Sequence, residues 1–141
     1  MSCADDQFKV PPHSIEAEQA VLGCLLLESK AWEKLAGKLQ SSDFYRRDHR
    51  LIFEAIFDLT EAQKPVDTLT VSDLLQQRSQ LSEVGGEAYL FELAQKTPST
   101  QNILTYAEVV DSRSILRKVI ACAQSTDLLI IYDFSWPTQS G

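Results

Sequence analysis

Two consecutive prolines, Pro11 and Pro12, precede the stretch HSIEAEQAVLGCLLLESKAW, residues 13–32. Proline lacks the amide hydrogen that helix interiors use, so no helix extends backwards through this pair. Ser14 is well suited to accept the first free amides as an N-cap. Glu16 and Glu18 then fall in the first turn, where the helix dipole favours negative charge. Ala17, Val21 and Leu25 line one face, and Leu22 and Leu26 widen it. The spacing predicts a helix buried around most of its circumference. Such a helix is stable only at the centre of other helices, and that requirement constrains everything that follows.

The remaining segments supply partners for it. Trp32, Leu35, Ala36 and Leu39 recur at i, i+3, i+4 and i+7, an amphipathic pattern. Residues 40–45, QSSDFY, break it, with Phe44 and Tyr45 expected to fold back onto the core. A third helix begins near Asp48 and carries Leu51, Ile52, Ala55, Ile56 and Leu59 on one stripe until Pro65. A fourth is expected with Thr70 as its N-cap and Leu74 and Leu75 pointing inward. Gly85 and Gly86 mark a turn into a short helix bearing Leu90, Leu93 and Ala94. Beyond Pro98 a last long helix starts near Gln101. On it Tyr106, Val109, Arg113, Leu116 and Ile120 alternate by three and four, a narrow heptad seam fit for one partner helix.

Nothing before residue 127 reads as a strand. The stretch LLIIYDF, residues 128–134, has strand character but no partner strand. The expected fold is therefore all-α, a compact helical bundle followed by a long projecting helix. Residues 1–13 are expected to form a flexible N-terminal arm and 14–98 the bundle. Residues 99–123 form the projecting helix, and 124–141 a divergent tail.

Composition narrows the function. With 141 residues the chain holds one domain, and 44% apolar with 23% charged residues is a globular balance. A net charge of −7 opposes a phosphate backbone, so little or no direct nucleic-acid binding is expected. The local exception, Arg46 to Arg50, reads as a solvated helix start. Cys3, Cys24 and Cys122 form no CxxC pair, which points to reduced thiols and a cytoplasmic setting, with Cys24 a small buried hydrophobe. The N-terminus is polar and acidic, unlike a targeting signal. No apolar run approaches the roughly 20 residues that cross a bilayer.

Catalytic patterns are missing as well. None of the five glycines begins a G-x-x-x-x-G-K-[ST] phosphate loop. His13 and His49 are the only histidines, and neither has metal-ligand spacing around it. No nucleophile elbow is present. His49 beside Asp48 reads as a helix-start hydrogen bond rather than a general base. No active site, metal or cofactor is expected in this chain.

Five blocks, PPHSIEAEQAVLGCLLL, DFYRRDHRLIFEAI, PVDTLTVSDLL, GGEAYLFELA and NILTYAEVVDSRSILRKVI, follow one another in order. Together they resemble the N-terminal domain of bacterial replicative DNA helicases of the DnaB type, from about Val10 to Ile120. The resemblance implies that the last helix is the first arm of a helical hairpin. Paired hairpins would join helicase subunits into a dimer or hexamer collar, on which primase docks. Tyr89 and Ile120 match positions of primase contact, and Tyr106, Val109, Leu116 and Ile120 would be the self-association seam. ATP and Mg would belong to the family's motor domain, whose phosphate loop, catalytic glutamate and arginine finger are not in this sequence.

After Ile120 the chain reads ACAQSTDLLIIYDFSWPTQSG, unlike a second hairpin arm, and Pro137 is expected to stop any helix. A frameshift or early end in a longer gene is the expectation there, and it would weaken hairpin-mediated assembly. The leading functional reading is an oligomerisation and primase-docking domain. One alternative is a truncated remnant counted as an ATP-dependent helicase through its parent gene. Another is an unrelated all-α interaction adaptor.

Overall fold

A computed structural model describes residues 10–35 and 37–129, and among them only helices and turns occur. The elements are α1 (Ile15–Leu27), α2 (Ala31–Leu35), α3 (Arg47–Glu61), α4 (Thr68–Gln77), α5 (Gly86–Lys96) and α6 (Ile103–Leu129). Single 3-10 turns lie at Ser41–Asp43, Ser82–Val84 and Thr100–Asn102.

The first helix is central, as its spacing predicts. Ser14 Oγ accepts the Ala17 amide at 3.2 Å, and Val21, Leu22 and Cys24 are wholly buried. α1 packs against α5, α6 and α3. Where it crosses the end of α5, only glycine fits. A Cβ on Gly23 would stand 1.7 Å from Thr97 Oγ1 and 2.4 Å from the Leu93 carbonyl oxygen. The stripe expected on α3 is buried in full, with Phe53 and His49 added to it.

Three local expectations are corrected. The helix carrying Trp32 and Leu35 spans only Ala31–Leu35, and Gly37 then turns the chain at φ +75°. Leu39 is buried all the same, reached through an irregular turn rather than a second helical repeat. The N-cap of α4 is Asp67 rather than Thr70. Asp67 Oδ1 accepts the Thr70 amide and Thr70 Oγ1 accepts the Asp67 amide, both at 2.9 Å, a reciprocal box in which threonine is the third helical residue.

The third correction concerns α6. Its inward stripe is Ile103, Ala107, Val110 and Ser114, all buried. Tyr106 and Val109 flank that stripe and are half-buried, whereas Leu116 is 47% exposed and Ile120 half-buried. The true core face thus sits nearly a third of a turn from the heptad seam. Alanine and serine at 107 and 114 let the helix lie close against the bundle, and a count of large apolar residues passes over them.

The proximal half of α6 belongs to the bundle core, beyond the expected boundary at 98. From Ile115 to Gln124 no residue is buried, so the distal half projects. The helix runs on to Leu129, past the expected limit at 123, and takes in Leu128 and Leu129 of the stretch read as strand-like. The rest of that stretch, most of the expected tail and residues 1–9 of the arm lie outside the described residues.

Candidate protein-docking face

A buried polar cluster sits beneath Tyr89, which is itself half-buried against the core. Glu18 is 1% exposed, and taking a carboxylate out of water is costly unless its lone pairs are met. They are met here. Glu18 accepts the Tyr45 amide at 2.6 Å and the Arg46 amide at 3.4 Å. His49, itself wholly buried, places Nδ1 at 2.7 Å from Glu18 and Nε2 at 2.7 Å from the Tyr89 hydroxyl. Gln19 Nε2 donates to the same hydroxyl at 3.1 Å.

One proton arrangement satisfies the whole chain of contacts. Gln19 donates to Tyr89 oxygen, Tyr89 O–H donates to His49 Nε2, and His49 Nδ1–H donates to Glu18. Both ring nitrogens of the histidine are thereby engaged, and it serves as a structural relay. Arg46 completes the cluster, forking onto Asp48 and lying 5.6 Å from the centre of the Tyr89 ring. Burial pulls the Arg46 guanidinium down, but the Asp48 hydrogen bond and the nearby acidic groups outweigh it and hold it above its ordinary value. Burial pushes the Tyr89 hydroxyl up, against the opposing effects of Gln19 and Arg46. The Asp48 contact expected for His49 is present, its carboxylate accepting the His49 amide at 2.8 Å.

Next to this cluster lies a groove of about 490 Å³ between α1, α5 and α6. Its floor is apolar, from Ala17, Ala20, Leu93, Tyr106 and Val109, and its rim carries Glu16, Gln19, Glu92 and Lys96. Glu92 accepts a hydrogen bond from Lys96 at 2.7 Å, which holds the lysine above its ordinary pKa. The structure therefore brings Tyr106 and Val109 together in one groove. Gln19 is its shared wall with Tyr89, lining the groove while bonding the tyrosine. Leu116 and Ile120 do not line it and lie further along α6, where Ile115 and Val119 are also exposed.

Two residues of this cluster escaped the sequence reading. Glu18 looks like a dipole-stabilising residue of the first turn, and nothing local marks it for burial. Gln19 carries no mark in the sequence that separates it from its neighbours. Cys24 behaves as expected, its thiol 3.5 Å from the Ser99 carbonyl and pushed up to about 11 by burial, with Glu28 adding and Lys34 opposing. Among the described residues no group of histidine, cysteine and carboxylate side chains could hold a metal ion. No described helix is long and apolar enough to cross a membrane.

The family model for the DnaB-like helicase N terminal domain matches residues 10–112. The replicative DNA helicase DnaB of Haemophilus influenzae is 45% identical over 115 residues, which is 82% of this chain and 25% of that protein. The chain spans about a quarter of the length of the curated relatives it matches. Its fold superposes on the crystal structure of the N-terminal domain of DnaB helicase from Mycobacterium tuberculosis with a TM-score of 0.82 and 34% identity, covering 84% of this chain and 85% of the other. A DnaB-like replicative helicase described together with its interactions with primase matches with a TM-score of 0.70 and 30% identity, over 77% of this chain and 25% of that one. An all-α bundle with this helix order, matched to that model over most of its length, belongs to the DnaB-like helicase N-terminal domain family.

Proposed function

We propose that this chain is the oligomerisation and primase-docking domain of a replicative DNA helicase, and that it has no ATPase activity of its own. It acts in the cytoplasm alongside other helicase subunits and binds primase rather than nucleic acid or membrane. ATP and Mg belong to the motor part of the family's longer proteins. The observation that carries this reading is the groove between α1, α5 and α6, floored by Tyr106 and Val109 and walled by Gln19, which bonds Tyr89; Leu116 and Ile120 follow further along α6. The groove is apolar in the middle and polar at the rim, the anatomy of a protein interface. The buried cluster beneath it is spent on hydrogen bonds to the protein itself, which leaves the surface for docking.

Primase from the same source organism is the natural probe. Isothermal titration should show saturable binding to the 141-residue chain, and Leu116→Asp or Ile120→Asp should weaken it roughly tenfold or more, a loss typical of central interface anchors. Both side chains lie on the projecting half of α6, so the helical signal should survive. Undiminished binding by both variants would overturn the assignment of α6 to the docking face. ATP turnover by the purified chain would overturn the non-catalytic reading.

A further inference from the structure

One short segment, Asp43–His49, touches both halves of the docking face. Asp43 anchors α6. Ser114 Oγ donates to Asp43 Oδ1 at 2.7 Å in a buried contact, while Asp43 Oδ2 accepts the Gln40 amide at 2.8 Å. One turn further along, Arg117 donates from Nη2 to the Asp43 carbonyl at 2.6 Å and from Nη1 to the Pro12 carbonyl at 2.8 Å. Its guanidinium also lies 5.5 Å from the centre of the Tyr45 ring, and His13 stacks on that ring at 4.2 Å. Lys118 Nζ reaches Asp43 Oδ1 at 3.5 Å.

The same segment then reaches Tyr89. The amides of Tyr45 and Arg46 end on Glu18, the imidazole of His49 bridges Glu18 to the Tyr89 hydroxyl, and the Arg46 guanidinium lies over the Tyr89 ring. The chain of contacts from Arg117 to Tyr89 is therefore unbroken. Its leverage is large, because no α6 residue between Ile115 and Gln124 is buried. At 1.5 Å per residue, a tilt of about 15° at Ser114 moves Ile120 by roughly 2 Å and Leu129 by roughly 6 Å. An interface that uses Tyr89 and Ile120 together tolerates little of that.

We propose that the Asp43–His49 segment is a strut that sets Tyr89 and the distal half of α6 in register for docking. Asp43 and Arg117 are positioning residues at one end, Glu18 and His49 at the other. The inference rests on the docking reading above, and it adds that the two halves of the face are mechanically joined. If they were anchored separately, disturbing Arg117 would leave Tyr89 unaffected.

Fluorine NMR of the full chain labelled with 3-fluorotyrosine tests this, with the Tyr89 signal assigned by its loss in Tyr89→Phe. Arg117→Gln should shift or broaden the Tyr89 resonance while the melting temperature stays near that of the parent. It should also weaken primase binding by roughly two- to thirty-fold, the span of measured coupling along contact networks. Arg117→Lys, which keeps a charged donor, should recover part of both effects, and it carries the comparison if Arg117→Gln loses cooperative melting. A Tyr89 resonance that stays fixed while that of Tyr45 moves would overturn the strut, as would undiminished primase binding by Arg117→Gln. If the parent chain does not bind primase, the docking reading falls by itself and the Tyr89 resonance still decides the strut.

Discussion

Glu18 is an acidic side chain placed where there is almost no water. Three N–H groups end on it, from the Tyr45 and Arg46 backbones and the His49 ring. Removing the acceptor leaves all three without it, and leaving a buried donor unmet typically costs about 1–3 kcal/mol. Glu18→Ala should therefore lower the urea midpoint by that much stability, and Glu18→Gln, which keeps one carbonyl acceptor, by clearly less. Equal small losses in both variants, below about 1 kcal/mol, would mean that the cluster is not holding the fold together. The residue was visible in the sequence only as an acid near a helix start. Its burial comes from residues 27 or more positions later, and no local pattern reports that distance.

At the level of elements, the crossing of α1 and α5 depends on a missing side chain. Glycine inside a helix normally weakens it by about 1 kcal/mol relative to alanine. Gly23→Ala should do the reverse of that rule. The new methyl would meet Thr97 Oγ1 and the Leu93 carbonyl, and the carbonyl is backbone that cannot rotate away. A net loss of about 1–3 kcal/mol is expected, the cost of overpacking a well-filled core. Adding Thr97→Ala should recover only part of it, since the clash with Leu93 remains. Denaturant melts of the two variants read this out, and a stabilised Gly23→Ala would show that the helices can slide apart at little cost. On α6 the small residues Ala107 and Ser114 face the bundle alongside Ile103 and Val110.

For the whole molecule, the unpaired surface of α6 sets the behaviour in solution. Ile115, Leu116 and Val119 are 49%, 47% and 57% exposed on the projecting half. Burying what remains of each contributes on the order of 1 kcal/mol, about half the worth of a full apolar side chain. The lost freedom of two associating chains offsets much of that sum. Weak, concentration-dependent dimerisation is expected, at best micromolar, rather than a closed hexamer. Sedimentation across a concentration series should show it, and Leu116→Asp should abolish it. A monomer at every concentration would sink the proposal that Leu116 and its exposed neighbours on α6 self-associate, as would a tight hexamer indifferent to Leu116→Asp.

Helix identity, the central place of α1, the α3 stripe and the Gly85–Gly86 turn could all be read along the chain. Each depends on residues within a few positions of one another, and helical periodicity repeats over that range. The family resemblance was legible for the same reason, as ordered local blocks. The tertiary structure alone decided which charge went inside, which edge of α6 faced the core and how far the helix stayed attached. Those outcomes rest on pairs such as Glu18 with Tyr45, Ser114 with Asp43 and Arg117 with Pro12, the last 105 residues apart. A buried carboxylate or a serine at a helix crossing is stable only because of what arrives from elsewhere, and that geometry exists only once the chain has folded.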